Sequence, residues 1–168
     1  MAKKVAVLVV NPVNGAGLFQ SLEPFFENGI QYKTFAVSET IHVKTNSGIS
    51  IETDDVVANL KGAEDKYDAL VFACGDAVPK FNDNMDKQFN QDMLAVIGAF
   101  ADKNKILIGH CAFALFLDNL SIAKGKKAAL HPFIKSFVKG FTGTDEKTVI
   151  DSNIYTAQTE NAIPDLIP

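Results

Sequence analysis

The chain of 168 residues is 47% hydrophobic and 21% charged, which excludes a disordered polypeptide and fits a single α/β domain over residues 1–168. Its net charge of −4 provides no general attraction to nucleic acid or to an anionic membrane surface. The apolar run 5–10 stops at Asn11-Pro12 and falls far short of the about 20 residues that span a bilayer. Because this run is also too short for a signal-peptide core, we expect a cytoplasmic protein without a membrane span.

The residue types present limit which anion and metal sites the chain can form. All 16 basic residues are lysine, so a bidentate arginine clamp on a carboxylate or phosphate is excluded. The two cysteines, Cys74 and Cys111, provide neither a disulfide framework nor a four-cysteine zinc site. The three histidines, His42, His110 and His131, lack the spacing of a metal-binding motif, and we therefore predict no bound metal.

The first half of the chain predicts alternating strands and helices. In chain order the patterns indicate a buried strand, a helix, an alternating strand, a hairpin and a short capped helix, over residues 3–11, 14–29, 30–37, 40–52 and 53–62. The helix begins after the turn Asn14-Gly15-Ala16-Gly17 and ends at Asn28-Gly29, as a glycine-terminated helix should. Thr53-Asp54-Asp55 provide the side chains expected to cap the short helix.

The second half continues the alternation. It indicates a buried strand, a long amphipathic helix, a strand, a helix, a short amphipathic helix, a hairpin and at most one helical turn, over residues 68–73, 89–100, 105–109, 112–117, 133–138, 148–156 and 162–167. This order predicts a single-domain, doubly wound, flavodoxin-like fold, with a mostly parallel sheet and helices on both faces. Ligands bind such sheets beyond the carboxyl ends of the strands.

Three segments are expected at that edge: the turn 14–17, the loop Cys74-Gly75-Asp76, and His110-Cys111-Ala112. The third segment places a cysteine at a strand-to-helix junction. A sharp turn there exposes the sulfur, and the helix N–H groups favour its thiolate form. We therefore predict a nucleophile elbow at Cys111, in a backbone conformation that residues other than glycine rarely adopt. The alternative is a small buried hydrophobe at the end of a strand.

Six segments, in this order, match the pattern of a known superfamily: Lys4-Val5-Ala6-Val7-Leu8, Glu27-Asn28-Gly29-Ile30, Tyr67-Asp68-Ala69-Leu70-Val71, Ile106-Leu107-Ile108-Gly109-His110-Cys111-Ala112, Gly125-Lys126-Lys127-Ala128-Ala129-Leu130-His131-Pro132 and Asp151-Ser152-Asn153-Ile154-Tyr155-Thr156-Ala157. With them the sequence resembles the ThiJ/PfpI superfamily, within the class I glutamine-amidotransferase-like fold. The resemblance covers nearly the whole chain.

The resemblance implies roles for four residues around the elbow. Cys111 takes the position of the nucleophile, and the N–H groups of Gly75 and Ala112 take those of the oxyanion hole. His131 matches a histidine that lies near the cysteine in many members and would act as the base. The alternative for His131 is a local capping role at the entry to the segment that follows Pro132.

His110 directly precedes Cys111, so in a pleated strand its side chain is expected to leave on the opposite side. We interpret it as a hydrogen-bonded core histidine, with a direct role in the site as the less favoured alternative.

The sequence departs from the superfamily at two positions of this site. The superfamily usually places a glutamate at the start of the first helix, hydrogen-bonded to the cysteine sulfur, and Gly17 stands at that position here. Glu23 and Asp76 are the candidate substitutes. The usual Gly-Gly of the oxyanion loop is Cys74-Gly75, which predicts a second thiol close to the first.

The leading hypothesis is a cysteine-dependent enzyme of the PfpI/ThiJ type that acts on a small carbonyl or amide substrate through Cys111. The resemblance implies a protease or amidase, or a glyoxalase-like lyase. The alternative is a non-enzymatic redox or stress-responsive protein in which Cys74 resolves oxidised Cys111. Against this redox role, Cys74 is also interpreted as a small apolar residue that packs at the end of a strand.

No cofactor is predicted. A further alternative is that Asn14, Gly15, Ala16 and Gly17 cradle an anion or a flavin phosphate at the helix N-terminus. The turn lacks the Rossmann spacing and the P-loop lysine, so a simple chain reversal is favoured. We expect a small-molecule substrate and no nucleic-acid partner, and the phenylalanines of 133–141 are compatible with a homodimer.

Overall fold

The structure is a computed structural model that describes residues 3–166. Its strands are β1 (Lys4–Val10), β2 (Gln31–Val37), β3 (His42–Lys44), β4 (Ser50–Glu52), β5 (Asp55–Val56), β6 (Ala69–Ala73), β7 (Ile106–His110), β8 (Lys127–Ala129), β9 (Thr142–Thr144), β10 (Thr148–Asp151) and β11 (Ile154–Ala157). Its α-helices are α1 (Gly15–Glu27), α2 (Gln88–Asp102) and α3 (Phe113–Asn119). Short 3₁₀ helices cover Val57–Asn59, Glu64–Lys66, Val78–Lys80, Asn82–Asn84 and Glu160–Asp165.

A seven-stranded sheet in the order β10-β11-β7-β6-β1-β2-β5 forms the centre of the molecule. Its pairings are parallel except for the antiparallel edge pair β10–β11, and two small side sheets pair β3 with β4 and β8 with β9. Every residue of β6, and of β1 from Val5 onward, is buried. Because successive side chains point to opposite faces of a sheet, both faces are covered. This architecture confirms the predicted α/β fold.

The chain reverses its direction of winding at β1, and this reversal positions the site. From β1 the chain continues to β2 on one side, and it later returns to β6 on the other side. The loops beyond the carboxyl ends of β1 and β6 therefore face each other, where open α/β sheets bind ligands. The Asn14 N–H donates to the Cys74 carbonyl at 2.9 Å and ties the two loops together.

Gly75 allows this close approach of the two loops. A Cβ at position 75 would lie 2.2 Å from the Pro12 carbonyl oxygen and 2.5 Å from Val13 Cα. Both atoms belong to the backbone, which cannot move aside as a flexible side chain would. Only glycine fits at this point.

The capped helix predicted over 53–62 is wrong for most of its length. Residues 55–56 form β5, which pairs with β2 in parallel register, and only Val57–Asn59 make a single 3₁₀ turn. The carboxylate of Asp54 accepts hydrogen bonds from the N–H and the hydroxyl of Thr34, each at 2.8 Å. The predicted caps thus hold this segment to the edge of the sheet.

The amphipathic helix predicted over 133–138 is also wrong, because this segment is a series of turns. The N–H of Ile134 donates to the His131 carbonyl, and the N–H of Phe137 donates to the Ile134 carbonyl. Phe133 and Phe137 are 76% and 61% exposed, so they do not form the buried face of a helix.

The last predicted helical turn, over 162–167, begins earlier than expected, because the 3₁₀ helix starts at Glu160. Ile167 of that prediction lies outside the described residues.

Among the helices of residues 3–166, none has the length and apolarity needed to cross a membrane.

Candidate active site

A cavity of about 400 Å³ opens at the carboxyl ends of β1, β6 and β7. It brings together residues that are far apart in the sequence and that the sequence analysis selected: Asn14, Cys74, Gly75, Asp76, His110, Cys111, Ala112 and His131. The predicted meeting of the three segments at one edge of the sheet is therefore confirmed. Their chemical roles stay predictions.

Cys111 adopts the predicted elbow conformation. Its φ angle is +55°, in the left-handed region that disfavours residues with a side chain. Its N–H donates to the Ala157 carbonyl at 3.2 Å, so the adjacent edge strand holds the backbone of the elbow. The side chain is half-buried and lines the cavity.

The thiol of Cys74 faces the thiol of Cys111 inside the cavity. A hydrogen bond between the two side chains lowers the pKa of Cys111, because the Cys74 S–H stabilises the Cys111 thiolate. The same hydrogen bond, together with burial, raises the pKa of Cys74 well above its ordinary value. Both cysteines are free. One thiol of the pair is thus favoured as the nucleophile and the other as a neutral donor.

Backbone N–H groups point toward the same sulfur atoms. The Ala112 N–H lies within hydrogen-bonding reach of both cysteines, and the Gly75 N–H lies within reach of Cys74. An oxyanion hole needs N–H groups that face the atom that develops negative charge, and the roles of Gly75 and Ala112 as these donors stay predictions.

His131 lines the cavity and makes a local hydrogen bond. Its Nδ1 accepts from the Phe133 N–H at 3.1 Å, as in the capping alternative. In the neutral ring the proton is then on Nε2, which becomes a hydrogen-bond donor. This arrangement suits a donor to the substrate better than the base that the resemblance implies.

The interpretation of His110 as a hydrogen-bonded core residue on the far side of Cys111 is wrong. His110 is buried, lines the same cavity as Cys111, and its Nε2 has no hydrogen-bond partner within the described residues. Pleating does not separate the two side chains, because β7 ends at His110 and Cys111 already belongs to the turn. Burial lowers the pKa of His110 to about 4, against a smaller opposing effect of Glu160.

The imidazole of His110 lies where the side chain of residue 17 would begin. A Cβ on Gly17 would be 2.9 Å from His110 Nε2 and 3.3 Å from Glu160 Cβ. The usual glutamate of the superfamily therefore has no room at this position unless the ring moves. His110 can point into the cavity because residue 17 has no side chain to occupy the same space.

Glu160 is the carboxylate of the cavity wall that the sequence analysis did not select. It is half-buried in the 3₁₀ helix after β11 and lines the cavity, and its charge opposes ionisation of Cys111. Two other acids were the candidate substitutes for the superfamily glutamate. Of these, Asp76 lines the cavity and Glu23 is exposed on α1. No local sequence pattern indicates this position, because the parallel pairing of β11 with β7 is what brings the residues after Ala157 to the same edge as Cys111.

The turn 14–17 begins α1 with an internal cap. Asn14 Oδ1 accepts from the Gly17 N–H at 3.0 Å, so one of the donors of the proposed anion cradle already has an acceptor. The anion or flavin phosphate site stays a prediction. In residues 3–166, no group of three or more His, Cys, Asp or Glu side chains is arranged to hold a metal ion.

Comparisons with known proteins agree with the fold. The model of the DJ-1/PfpI family matches residues 3–167. Protein ppBat of Bacteroides thetaiotaomicron is 58% identical over 168 residues, covering 100% of this chain and 96% of that protein.

Solved structures give the same picture. The crystal structure of "the putative protease I" from Bacteroides thetaiotaomicron is 56% identical, with a TM-score of 0.95 over 99% of this chain and 98% of that one. A variant of the DJ-1 superfamily protein STM1931 from Salmonella typhimurium is 20% identical, with a TM-score of 0.86 over 98% of this chain and 86% of that one. At that identity the likeness concerns the fold alone.

Proposed function

The chain belongs to the DJ-1/PfpI family, and from that premise we propose that it is a cysteine-dependent enzyme acting on a small carbonyl or amide compound. The observation that supports this most directly is the position of Cys111, which combines a strained elbow, a lowered pKa and a place on the cavity wall. Strain and a shifted pKa at one residue of a cleft are typical of an active site.

In the proposed reaction the Cys111 thiolate forms a bond to the carbonyl carbon, and the π electrons of the carbonyl move to its oxygen. The N–H groups of Gly75 and Ala112 stabilise this oxyanion, and His131 donates a hydrogen bond from Nε2 to the substrate. With an aldehyde, the oxygen takes up a proton and a hemithioacetal forms. With an amide, the C–N bond breaks as the amine leaves with a proton from water. The hydroxide formed then hydrolyses the thioester, which releases the carboxylic acid and restores the Cys111 thiolate.

Cys74 takes the place of a carboxylic acid as the neutral donor to the nucleophile. The superfamily glutamate is absent, and the lowered pKa of Cys111, whose main cause is the neighbouring Cys74 thiol, supports this role. Because the pKa of Cys74 is raised well above its ordinary value, this thiol stays protonated near neutral pH and keeps its donor role.

The test is an activity screen of the wild type, Cys111→Ser and Cys74→Ser against aldehydes, amides and short peptides. We expect turnover in the wild type, loss of at least about a hundredfold in Cys111→Ser, and partial activity in Cys74→Ser. Thermal unfolding of each variant serves as the control for folding. Turnover that survives in folded Cys111→Ser would contradict the proposal.

A second candidate function is redox sensing, which the proximity of the two thiols favours. The Cys111 thiolate would attack a peroxide oxygen, breaking the O–O bond and leaving a sulfenic acid. The sulfur of Cys74 would then attack the Cys111 sulfur, forming a disulfide and releasing water. A reduced thiol pair suits a reducing compartment, and we place either function in the cytoplasm.

Counting free thiols in the denatured protein, before and after mild peroxide treatment, separates the two functions. A sensor loses two thiols at once without turnover, whereas an enzyme shows steady turnover with both thiols reduced. The Cys74→Ala variant is the control, since in it Cys111 would stop at the sulfenic acid. A sensor role is overturned if peroxide removes the Cys111 thiol alone in the wild type.

A further inference from the structure

The walls of the cavity indicate which substrates the proposed enzyme accepts. We propose that the cavity binds uncharged carbonyl compounds with an apolar substituent and excludes anionic ones. This inference rests on the proposed role of Cys111 as the nucleophile. It concerns the charge and polarity of the substrate, which the elbow itself does not determine.

The charges on the cavity wall are of one sign. Asp76 and Glu160 each place a carboxylate there, and no lysine lines the cavity within residues 3–166. Arginine is absent from the sequence, so no guanidinium from this chain can balance them. A substrate carboxylate or phosphate would meet two like charges in a partly enclosed space, where screening by solvent is weaker than at an open surface.

The two histidines of the wall do not reverse this charge. His110 is buried, and that burial keeps its ring neutral at physiological pH, since the pKa of His110 is lowered to about 4. His131 accepts a hydrogen bond from the Phe133 N–H at Nδ1, so this nitrogen does not donate to a bound anion. The remaining polar groups of the wall are the uncharged amides of Asn14, Asn46 and Asn82.

The rest of the wall is apolar. Val78, Leu115 and Ile134 line it together with the rings of Phe133 and Phe137. The two rings are largely exposed, although they belong to the cavity wall. Exposed aromatic surface beside a reactive group provides a binding face for an apolar substituent.

The charge part of the inference is tested with two alkylating reagents of nearly the same shape, uncharged iodoacetamide and anionic iodoacetate. The rate at Cys111 is followed by mass spectrometry, and each rate is divided by that of the urea-unfolded chain. We expect iodoacetate to be disfavoured on the order of tenfold relative to iodoacetamide in the folded protein. The difference should shrink at high ionic strength.

Substitution of the two carboxylates tests whether they cause the slower reaction of iodoacetate. Asp76→Asn and Glu160→Gln are each expected to raise the rate ratio of iodoacetate to iodoacetamide by about threefold. A change in the ionisation of Cys111 affects both reagents equally and cancels in this ratio. Asp83→Asn, at an exposed residue that is not part of the cavity wall, is the matched control and should leave the ratio unchanged. Equal normalised rates of the two reagents in the wild type would overturn the charge selection.

The apolar part is tested with N-phenyl iodoacetamide. We expect it to label Cys111 at least about fivefold faster than iodoacetamide, after the same normalisation, because the phenyl group binds the wall before the reaction. Phe133→Ala should remove most of this advantage. Phe26→Ala, which removes a ring of 78% exposure on α1, is the matched control.

The outcomes separate this inference from the proposed function. If no reagent labels Cys111 in the folded protein, Cys111 is not an accessible nucleophile and the proposed function itself fails. If all three reagents label Cys111 with the rate ratios of the unfolded chain, the nucleophile stands and the substrate inference is wrong. A phenyl advantage that survives in Phe133→Ala and in Phe137→Ala overturns the apolar part.

Discussion

At the residue scale, Gly17 and Cys74 are the two positions that distinguish this site from the superfamily pattern. A glutamate at position 17 would press on the imidazole of His110, and the thiol of Cys74 is the neighbouring group that lowers the pKa of Cys111. A thiol is a weaker donor than a carboxylic acid. The expected consequence is a thiolate that is stabilised less, and that depends on a second cysteine.

The first prediction concerns this dependence. Cys74→Ala removes the donor, so the pKa of Cys111 should rise and its alkylation by iodoacetamide at pH 7 should slow by about tenfold. Cys74→Ser keeps an O–H donor and should stay within about threefold of the wild type. The measurement is the rate at Cys111 against pH.

A control is built into the same pH series. Above the pKa of Cys111 in every variant, the three proteins should react at similar rates, because access to the sulfur is unchanged. If Cys74→Ala reacts as fast as the wild type at pH 7, the hydrogen bond between the thiols does not stabilise the thiolate.

The second prediction concerns Gly17. Replacing glycine by alanine inside a helix usually stabilises a protein by about 0.5–1 kcal/mol. At Gly17 the new Cβ would press on the buried ring of His110, so we expect Gly17→Ala to destabilise by about 1 kcal/mol. In α2, a Cβ on Gly98 meets nothing within 4 Å among the described residues, and Gly98→Ala should stabilise.

Urea unfolding of the two variants measures both effects in one experiment. The same substitution should shift the free energy of unfolding in opposite directions at the two positions. A stabilised Gly17→Ala would mean that the ring of His110 moves aside without cost.

At the scale of elements, the segments with strong periodic patterns were predictable and those defined by tertiary contacts were not. The helix α2 has the apolar spacing of one buried helix face, and β1 is a short run rich in valine, whose length and β-branched residues indicate a strand. Thr53-Asp54-Asp55 have the composition of a helix cap, yet Asp54 hydrogen-bonds Thr34 of β2 instead. The local sequence pattern cannot show that β2 lies beside this segment in the fold.

The third prediction concerns the element that carries His131, Phe133 and Phe137. Its far end is held by Asp118 of α3, whose carboxylate accepts from the N–H groups of Lys139 and Gly140 at 2.9 and 2.7 Å. Asp118→Ala leaves both donors without this acceptor and should destabilise the protein by about 2 kcal/mol. Faster amide hydrogen exchange in 131–141 should accompany this loss.

Asp145 offers a matched control, because its ion pair with Lys135 lies in solvent near the same segment. Asp145→Ala should leave the urea midpoint and the exchange of 131–141 unchanged. Equal effects of the two substitutions would mean that Asp118 does not anchor the segment.

At the scale of the whole molecule, the topology explains which parts of the site the sequence could predict. Cys111 and Gly75 follow buried strands of one parallel sheet, and their meeting follows from the rule that such strands end at one edge. Glu160 required the further knowledge that β11 pairs in parallel with β7, although it forms an antiparallel hairpin with β10. The inward position of His110 required the empty space over Gly17, which is a tertiary property.

The last prediction concerns the stability of the whole molecule against acid. Burial lowers the pKa of His110 from its ordinary value of 6.5 to about 4. Between these two values the unfolded chain binds a proton at this ring and the folded chain does not, so the free energy of unfolding falls as the pH decreases. From pH 7.5 to pH 5.0 this single group should cost about 2 kcal/mol.

Urea unfolding of the wild type and His110→Asn at both pH values isolates this contribution. Carboxyl groups add their own pH dependence equally to both proteins, so the wild type should lose about 2 kcal/mol more than His110→Asn, whatever the stability of the variant at pH 7.5. The matched control is His42→Asn, which replaces an exposed ring on β3. Between the two pH values it should lose as much free energy of unfolding as the wild type. If His110→Asn loses as much as the wild type, the ring of His110 accepts a proton in the folded protein, and the neutral histidine assumed for the cavity wall is wrong.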